Sequence, residues 1–176
     1  MSALSVLYIV LPVLAVSLCH TLEVLFTARR WVERHRVSLM NGHPDLLNVL
    51  FRLSGMNMQT FLTAAGAGFL AVLLSTAALF VGGLWTELVW TTVFMAYSVF
   101  ALINLVRAAI LKGYVPGLLT SIISVPLIAY AAYSLSLVWP WWGILLSAIL
   151  GLVLAFANLY FAQRLGQRQT SKSTKN

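Results

Sequence analysis

Charged side chains are scarce in this chain of 176 residues: Asp, Glu, Lys and Arg make up 9% of it, and only four are acidic. A water-soluble domain carries about a quarter charged residues, so a globular fold in water is excluded. Cysteine is almost absent. Cys19 stands alone, so no disulfide framework within one chain exists and the redox compartment cannot be read. No phosphate-binding loop, no Gly-x-Ser-x-Gly elbow, no paired-cysteine motif and no internal repeat is present. The N-terminus lacks the basic start and small-x-small cleavage site of a signal peptide, and Val16-Ser17-Leu18-Cys19 matches a lipoprotein signal poorly. The first apolar segment therefore reads as a retained span.

Apolar residues fill the sequence instead, at 61%, with a mean hydropathy of +0.93. Their runs are long, rich in Leu, Ala and Gly, and lack strict alternation, which points to helices rather than a β-barrel. In lipid a helix satisfies its own backbone polar groups. Five runs are long enough to cross about 30 Å of hydrocarbon: roughly 4–27, 59–80, 86–111, 116–138 and 143–162. Pro12 and Pro126 each remove one rung and are expected to kink their helices. Pro116 suits a helix's first turn. Between the first two spans, Asp45 can cap a short interfacial helix over 46–53 with Arg52 facing the headgroups. The expected architecture is all-α, a polytopic bundle of five transmembrane helices forming one domain over 1–166, with a disordered cytoplasmic tail over 167–176.

Orientation follows from charge placement. All eleven Lys and Arg residues lie between spans one and two, at the end of span three and its turn, or in the tail. The opposite side offers Glu87, Gly82-Gly83 and Trp139-Pro140-Trp141-Trp142. The positive-inside rule then gives N-out and C-in. Trp85, Trp90, Trp139, Trp141 and Trp142 are expected to form an outer aromatic belt, with Trp31 and Tyr114 marking the inner one. The formal net charge of +7 thus reports anionic headgroups rather than nucleic acid.

Ionisable residues inside a span pair or work. His20 and Glu23 are three apart on span one, and Asn104 and Arg107 repeat that spacing on span three, so each pair shares a helical face. Glu23 precedes Arg29 by six residues, Arg107 precedes Lys112 by five, and Asn158 precedes Arg164 by six. These groups, with Thr120, Ser121 and Thr63, are expected at one depth in the inner leaflet. Structurally, the layer is an ion pair of Glu23 with Arg107, completed by His20 and Asn104. Functionally, it is a pocket open to the inner leaflet in which His20 and Glu23 exchange protons with a lipophilic substrate. Two metal ligands fall short of the three or four a stable site requires. His35 and His43 belong to the loop, and Arg107 opposes a cation, so no metal is assigned. Ala64 and Gly68, and Ser147, Gly151 and Ala155, form small-residue ridges suited to packing within the chain or to homo- or hetero-oligomers.

At His20-Thr21-Leu22-Glu23 followed by Thr27-Ala28-Arg29-Arg30-Trp31, the chain resembles the HXXEE-domain family of small bacterial membrane proteins. The likeness continues at Asn104-Leu105-Val106-Arg107 and over 112–120, and covers about 5–165. It implies a helical membrane protein of the bacterial inner membrane and a set of candidate residues, without an activity. The family's second Glu would fall at Val24, and a His typical of its third helix at Arg107. If those positions serve a metal or acid–base site, this chain has lost two members and keeps His20, Glu23 and Asn104. Three readings remain: a protein that binds or transforms a lipophilic small molecule, a non-catalytic scaffold or partner subunit, and a small transporter component, which the lack of inverted repeats disfavours. The sequence names no reaction and no cofactor.

Overall fold

The computed structural model describes the backbone of residues 6–40 and 58–173. Its helices are α1 (Leu11–Met40), preceded by a π-helical turn at Val6–Val10, then α2 (Met58–Leu79), α3 (Leu84–Leu111), α4 (Leu118–Val138) and α5 (Trp141–Ser173). Five segments are long and apolar enough to cross a membrane: Tyr8–Arg34, which begins in the π-helical turn and continues into α1, then Gln59–Leu79, Leu84–Leu111, Leu118–Val138 and Trp141–Ala162. Among the described residues there is no strand. The interfacial helix expected over 46–53 lies outside the described residues.

Several boundaries differ from the sequence reading for local reasons. Pro12 has no N–H for the carbonyl of Tyr8, and the turn before it widens to π geometry. α1 then runs on through Arg29 and Arg30, well past the apolar run. α4 begins at Leu118 rather than Pro116, because Gly117 adopts a left-handed φ of 86° that no helical residue takes. Pro126 lies within a continuous α4. α5 extends to Ser173, into the stretch expected to be an unstructured tail.

α3 is the hub. It packs against α5, α2 and α4, while α1 packs against α2 and α4. At the aromatic end, Ile9, Val10, Val13, Val72, Phe94, Ala131 and Leu135 form a core around Trp90. Trp90 stacks on Phe94 at 5.5 Å and donates through Nε1 to Thr76 Oγ1 at 3.3 Å. Trp90, expected in the outer aromatic belt, is therefore buried at 1% exposure, whereas Trp85 and Trp141 are 77% and 76% exposed. Trp31, expected at the inner belt, is likewise buried; its Nε1 donates to Tyr114 O at 2.5 Å. An indole with a partner for its N–H is at home inside a bundle.

The ridge of α5 is closed within the chain. Ser147 and Ala155 are buried, and a Cβ on Gly151 would lie 2.7 Å from Met95 Cβ and 2.8 Å from Ala96 N. Much of the bundle exterior is apolar, with Phe26, Leu74, Leu137 and Val153 among many large exposed side chains. Patches this extensive suit a lipid environment rather than water.

Candidate functional site

The turn between α3 and α4 builds the site. Lys112 leaves α3 in the left-handed region, with φ 46°. Val115, Pro116 and Gly117 are buried, and Gly117 sets the start of α4. A Cβ at Gly117 would run into the His20 ring and stand 3.0 Å from Asn104 Nδ2. Gly117 is thus required twice, by its dihedral and by the closeness of α1 and α3.

The first backbone N–H groups of a helix have no partner in their own helix. In α4 they are met by a carboxylate from another helix. Glu23 Oε1 accepts from Leu119 N at 3.1 Å and from Tyr114 Oη at 2.6 Å; Oε2 accepts from Thr120 N at 2.9 Å and from Thr120 Oγ1 at 2.6 Å. A negative charge at a helix N-terminus also meets the positive end of its dipole. Burial, and then its bond to Glu23, push the Tyr114 phenol up to about 12.

His20 Nδ1 lies 2.9 Å from Thr120 Oγ1. A hydroxyl has one proton, and the short contact to Glu23 Oε2 takes it. His20 must then donate from Nδ1, so that in the neutral ring Nε2 is the nitrogen without a proton. The result is a directed chain, His20 Nδ1–H to Thr120 Oγ1–H to Glu23 Oε2. A similar order holds beside it: Ser124 Oγ donates to Thr120 O at 2.6 Å, so Tyr97 Oη donates to Ser124 Oγ at 2.7 Å. The His20 ring meets Tyr97 edge-on at 6.3 Å.

Asn104 Nδ2 donates to Ser121 Oγ at 3.3 Å, and Ser121 Oγ donates to Gly117 O at 2.6 Å. Arg107 is 5% exposed, and its one hydrogen bond runs from Nη1 to Asn104 Oδ1 at 3.5 Å, at the outer limit for such a bond. Its Nε and Nη2 are buried without a partner. The expected Glu23–Arg107 ion pair is not formed: the described ion pair is the exposed i, i+4 contact of Arg29 with Glu33 at 3.1 Å. Glu23 is occupied by donors already fixed in place at the start of α4. His20 and Asn104, expected to complete that pair, bond instead to Thr120 and Ser121. Asn158 stands apart, donating to Ala64 O at 3.0 Å and tying α5 to α2.

His20, Asn104 and Arg107 face a small cleft of about 60 Å³ between α1, α2 and α3, whose other walls include Ser17, Thr60, Phe61, Gly68, Tyr97 and Phe100. Gly68, Tyr97 and Phe100 also line a larger apolar cavity of about 340 Å³ between α2, α3 and α5, with Asn158 among its lining beside Gly68. Among the described residues no three His, Cys, Asp or Glu side chains converge. Tyr114, Gly117 and Ser124 were not singled out from sequence as site residues. Pro116-Gly117 ahead of Thr120 was the available signal, since a helix start needs acceptors and the nearest span holds a carboxylate.

The arrangement defines a helical bundle with a polar site where α1 meets the start of α4. The model of a family described as a protein of unknown function with HXXEE motif matches residues 11–133. The chain belongs to that family. Its motif reads His20-Thr21-Leu22-Glu23-Val24, with buried Val24 where the second Glu would stand. No curated protein and no solved structure matches the chain.

Proposed function

We propose that this is an integral membrane protein of the cytoplasmic membrane, N-terminus out and C-terminus in, that takes a lipophilic small molecule into the cleft beside His20. The observation that carries the reading is the cleft's make-up: His20, Asn104 and Arg107 line it together with Phe61, Phe69 and Phe100. A few convergent polar groups in an apolar pocket are what small-molecule sites present. The Glu23–Thr120–His20 chain holds the imidazole in one tautomer, with Nε2 free to accept a proton. Binding is the minimum claim, and proton transfer at Nε2 is the chemistry the geometry permits.

A scaffold or partner-subunit reading draws on Glu23, whose four hydrogen bonds come from Leu119 and Thr120 at the start of α4 and from Tyr114 in the turn before it. It leaves unexplained a buried guanidinium with two idle nitrogens and an imidazole on a cleft.

The test is photolabelling of the purified chain in lipid nanodiscs with an alkyl-diazirine probe, mapped by peptide mass spectrometry. Adducts around Ser17–Thr21 and Phe61–Phe69, lost in His20→Phe, support the reading. Adducts restricted to outward residues such as Leu74 and Val153 would sink it. Maleimide labelling of single cysteines placed at 83 and 140, from either side of the membrane, tests the orientation.

A further inference from the structure

Arg107 is a buried charge that the described residues leave unanswered. Its guanidinium is buried, Nε and Nη2 have no partner, and Nη1 has only a long bond to Asn104. Burying an unpaired charge is among the most costly things a protein does. The chain has four acidic residues. Glu23 is held by Tyr114, Leu119 and Thr120, and Glu33 pairs with Arg29. Glu87 lies in the first turn of α3, twenty residues or about 30 Å along the helix from Arg107. Asp45 lies outside the described residues. A planar fork with idle donors, facing a cleft, is a receptor for carboxylate or phosphate oxygens.

The neighbouring space sets the rest of the ligand. The cleft beside Arg107 and the larger apolar cavity share Gly68, Tyr97 and Phe100. At Gly68 the backbone adds no side chain of its own, and a Cβ there would meet Asn158 Nδ2 at 3.9 Å, so the partition between the two spaces is made by Tyr97 and Phe100. The larger cavity, with Ala71, Val93 and Leu154 on its walls, is thus the adjoining apolar space for the alkyl chain of a ligand whose polar head meets Arg107 and Asn104.

We infer that the molecule bound here is a single-chain lipophilic anion, its carboxylate or phosphate on Arg107 and its alkyl chain in the cavity between α2, α3 and α5. This rests on the pocket reading above and adds the charge and shape of the occupant.

The experiment is binding of radiolabelled palmitate to the full-length chain in phosphatidylcholine nanodiscs at alkaline pH, competed with hexadecyl phosphate, hexadecanol and inorganic phosphate. Palmitate and hexadecyl phosphate are expected to bind at least about tenfold more tightly than hexadecanol, the worth of one charge-assisted hydrogen bond. Arg107→Met should remove the preference for palmitate over hexadecanol. If hexadecanol matches palmitate within about twofold on the wild-type chain, the anionic ligand is overturned and the lipophilic pocket stands. If no hexadecyl compound binds, the pocket reading itself fails. Displacement of palmitate by inorganic phosphate at equal concentration overturns the alkyl-chain half of the inference. The wild-type comparison decides the question even where Arg107→Met does not fold. Strong stability coupling between Asp45→Asn and Arg107→Met would give Arg107 a counter-ion within the chain and overturn the proposal.

Discussion

Glu23 and Thr120 are 97 positions apart, and one carboxylate oxygen of Glu23 accepts both the backbone N–H and the hydroxyl of Thr120, at 2.9 and 2.6 Å. The pairing joins α1 to the first turn of α4 and sets the rotamer of the hydroxyl that His20 addresses. Stability and site geometry therefore depend on the same two residues.

Glu23→Gln tests that dependence. The amide keeps the shape but offers one acceptor oxygen, and its NH2 points at donors. At least one N–H or O–H at the start of α4 loses its partner, at a cost of roughly 1–3 kcal/mol. Thermal unfolding of the purified chain in detergent should show a lower midpoint, and Glu23→Ala should lower it further. An unchanged midpoint in both variants would mean that water replaces the carboxylate without loss.

Tyr114 supplies a pH dependence with a definite sign. The folded chain holds the phenol's proton up to about pH 12, while an unfolded tyrosine releases it near about 10. Between those values the folded state binds more protons, so stability falls as pH rises. The contribution is fully present below the unfolded value and gone above the folded one. Tyr114→Phe should be less stable than wild type at neutral pH and should show a shallower decline through that window. Parallel curves for the two chains would show that Tyr114 does not titrate differently on folding.

How much was legible in the sequence depended on whether a feature was local. Five helices long and apolar enough to cross a membrane were legible, because apolar run length is a property of the segment itself. The candidate site residues on spans one, three and four were recognisable because polar groups are rare in such runs. Their partners were not. Glu23 was expected to meet Arg107, since opposite charges at one depth should pair. A helix start with idle N–H groups competed for the same carboxylate, and no periodicity reveals that competition. Trp90 and Trp31 were misplaced for a related reason: a Trp near a helix end reads as interfacial until a partner for its N–H is seen inside the bundle.

Gly117 should tolerate substitution badly, and Gly66 well. Gly117→Ala puts a Cβ on a residue at φ 86° and drives it into the His20 ring. A cost of about 1–3 kcal/mol follows from the dihedral alone, and His20 must move in addition. Gly66 lies inside α2 with nothing within 4 Å of a built Cβ, so Gly66→Ala should raise stability by about 0.5–1 kcal/mol. Paired melting curves check both. A Gly117→Ala variant as stable as wild type would show that the turn has room to relax.

The α3–α5 seam gives the last pair. Ser98, Ser124 and Ser134 each return their hydroxyl to the carbonyl four residues earlier. Ser147 is fully buried and its Oγ has no partner. Replacing it by alanine removes an unsatisfied hydroxyl and should leave stability equal or raise it by about 1 kcal/mol. Gly151→Val is the opposite case, since its side chain would press on Met95 Cβ, Ala96 N and Thr92 O. Two of those three atoms are backbone and cannot rotate away, so α5 must shift away from α3. The expected outcome is a loss of several kcal/mol or a failure to purify as a folded chain. Should Ser147→Ala instead lower the melting midpoint, a water or a second chain must satisfy that hydroxyl, and the seam would be wetter than its packing implies.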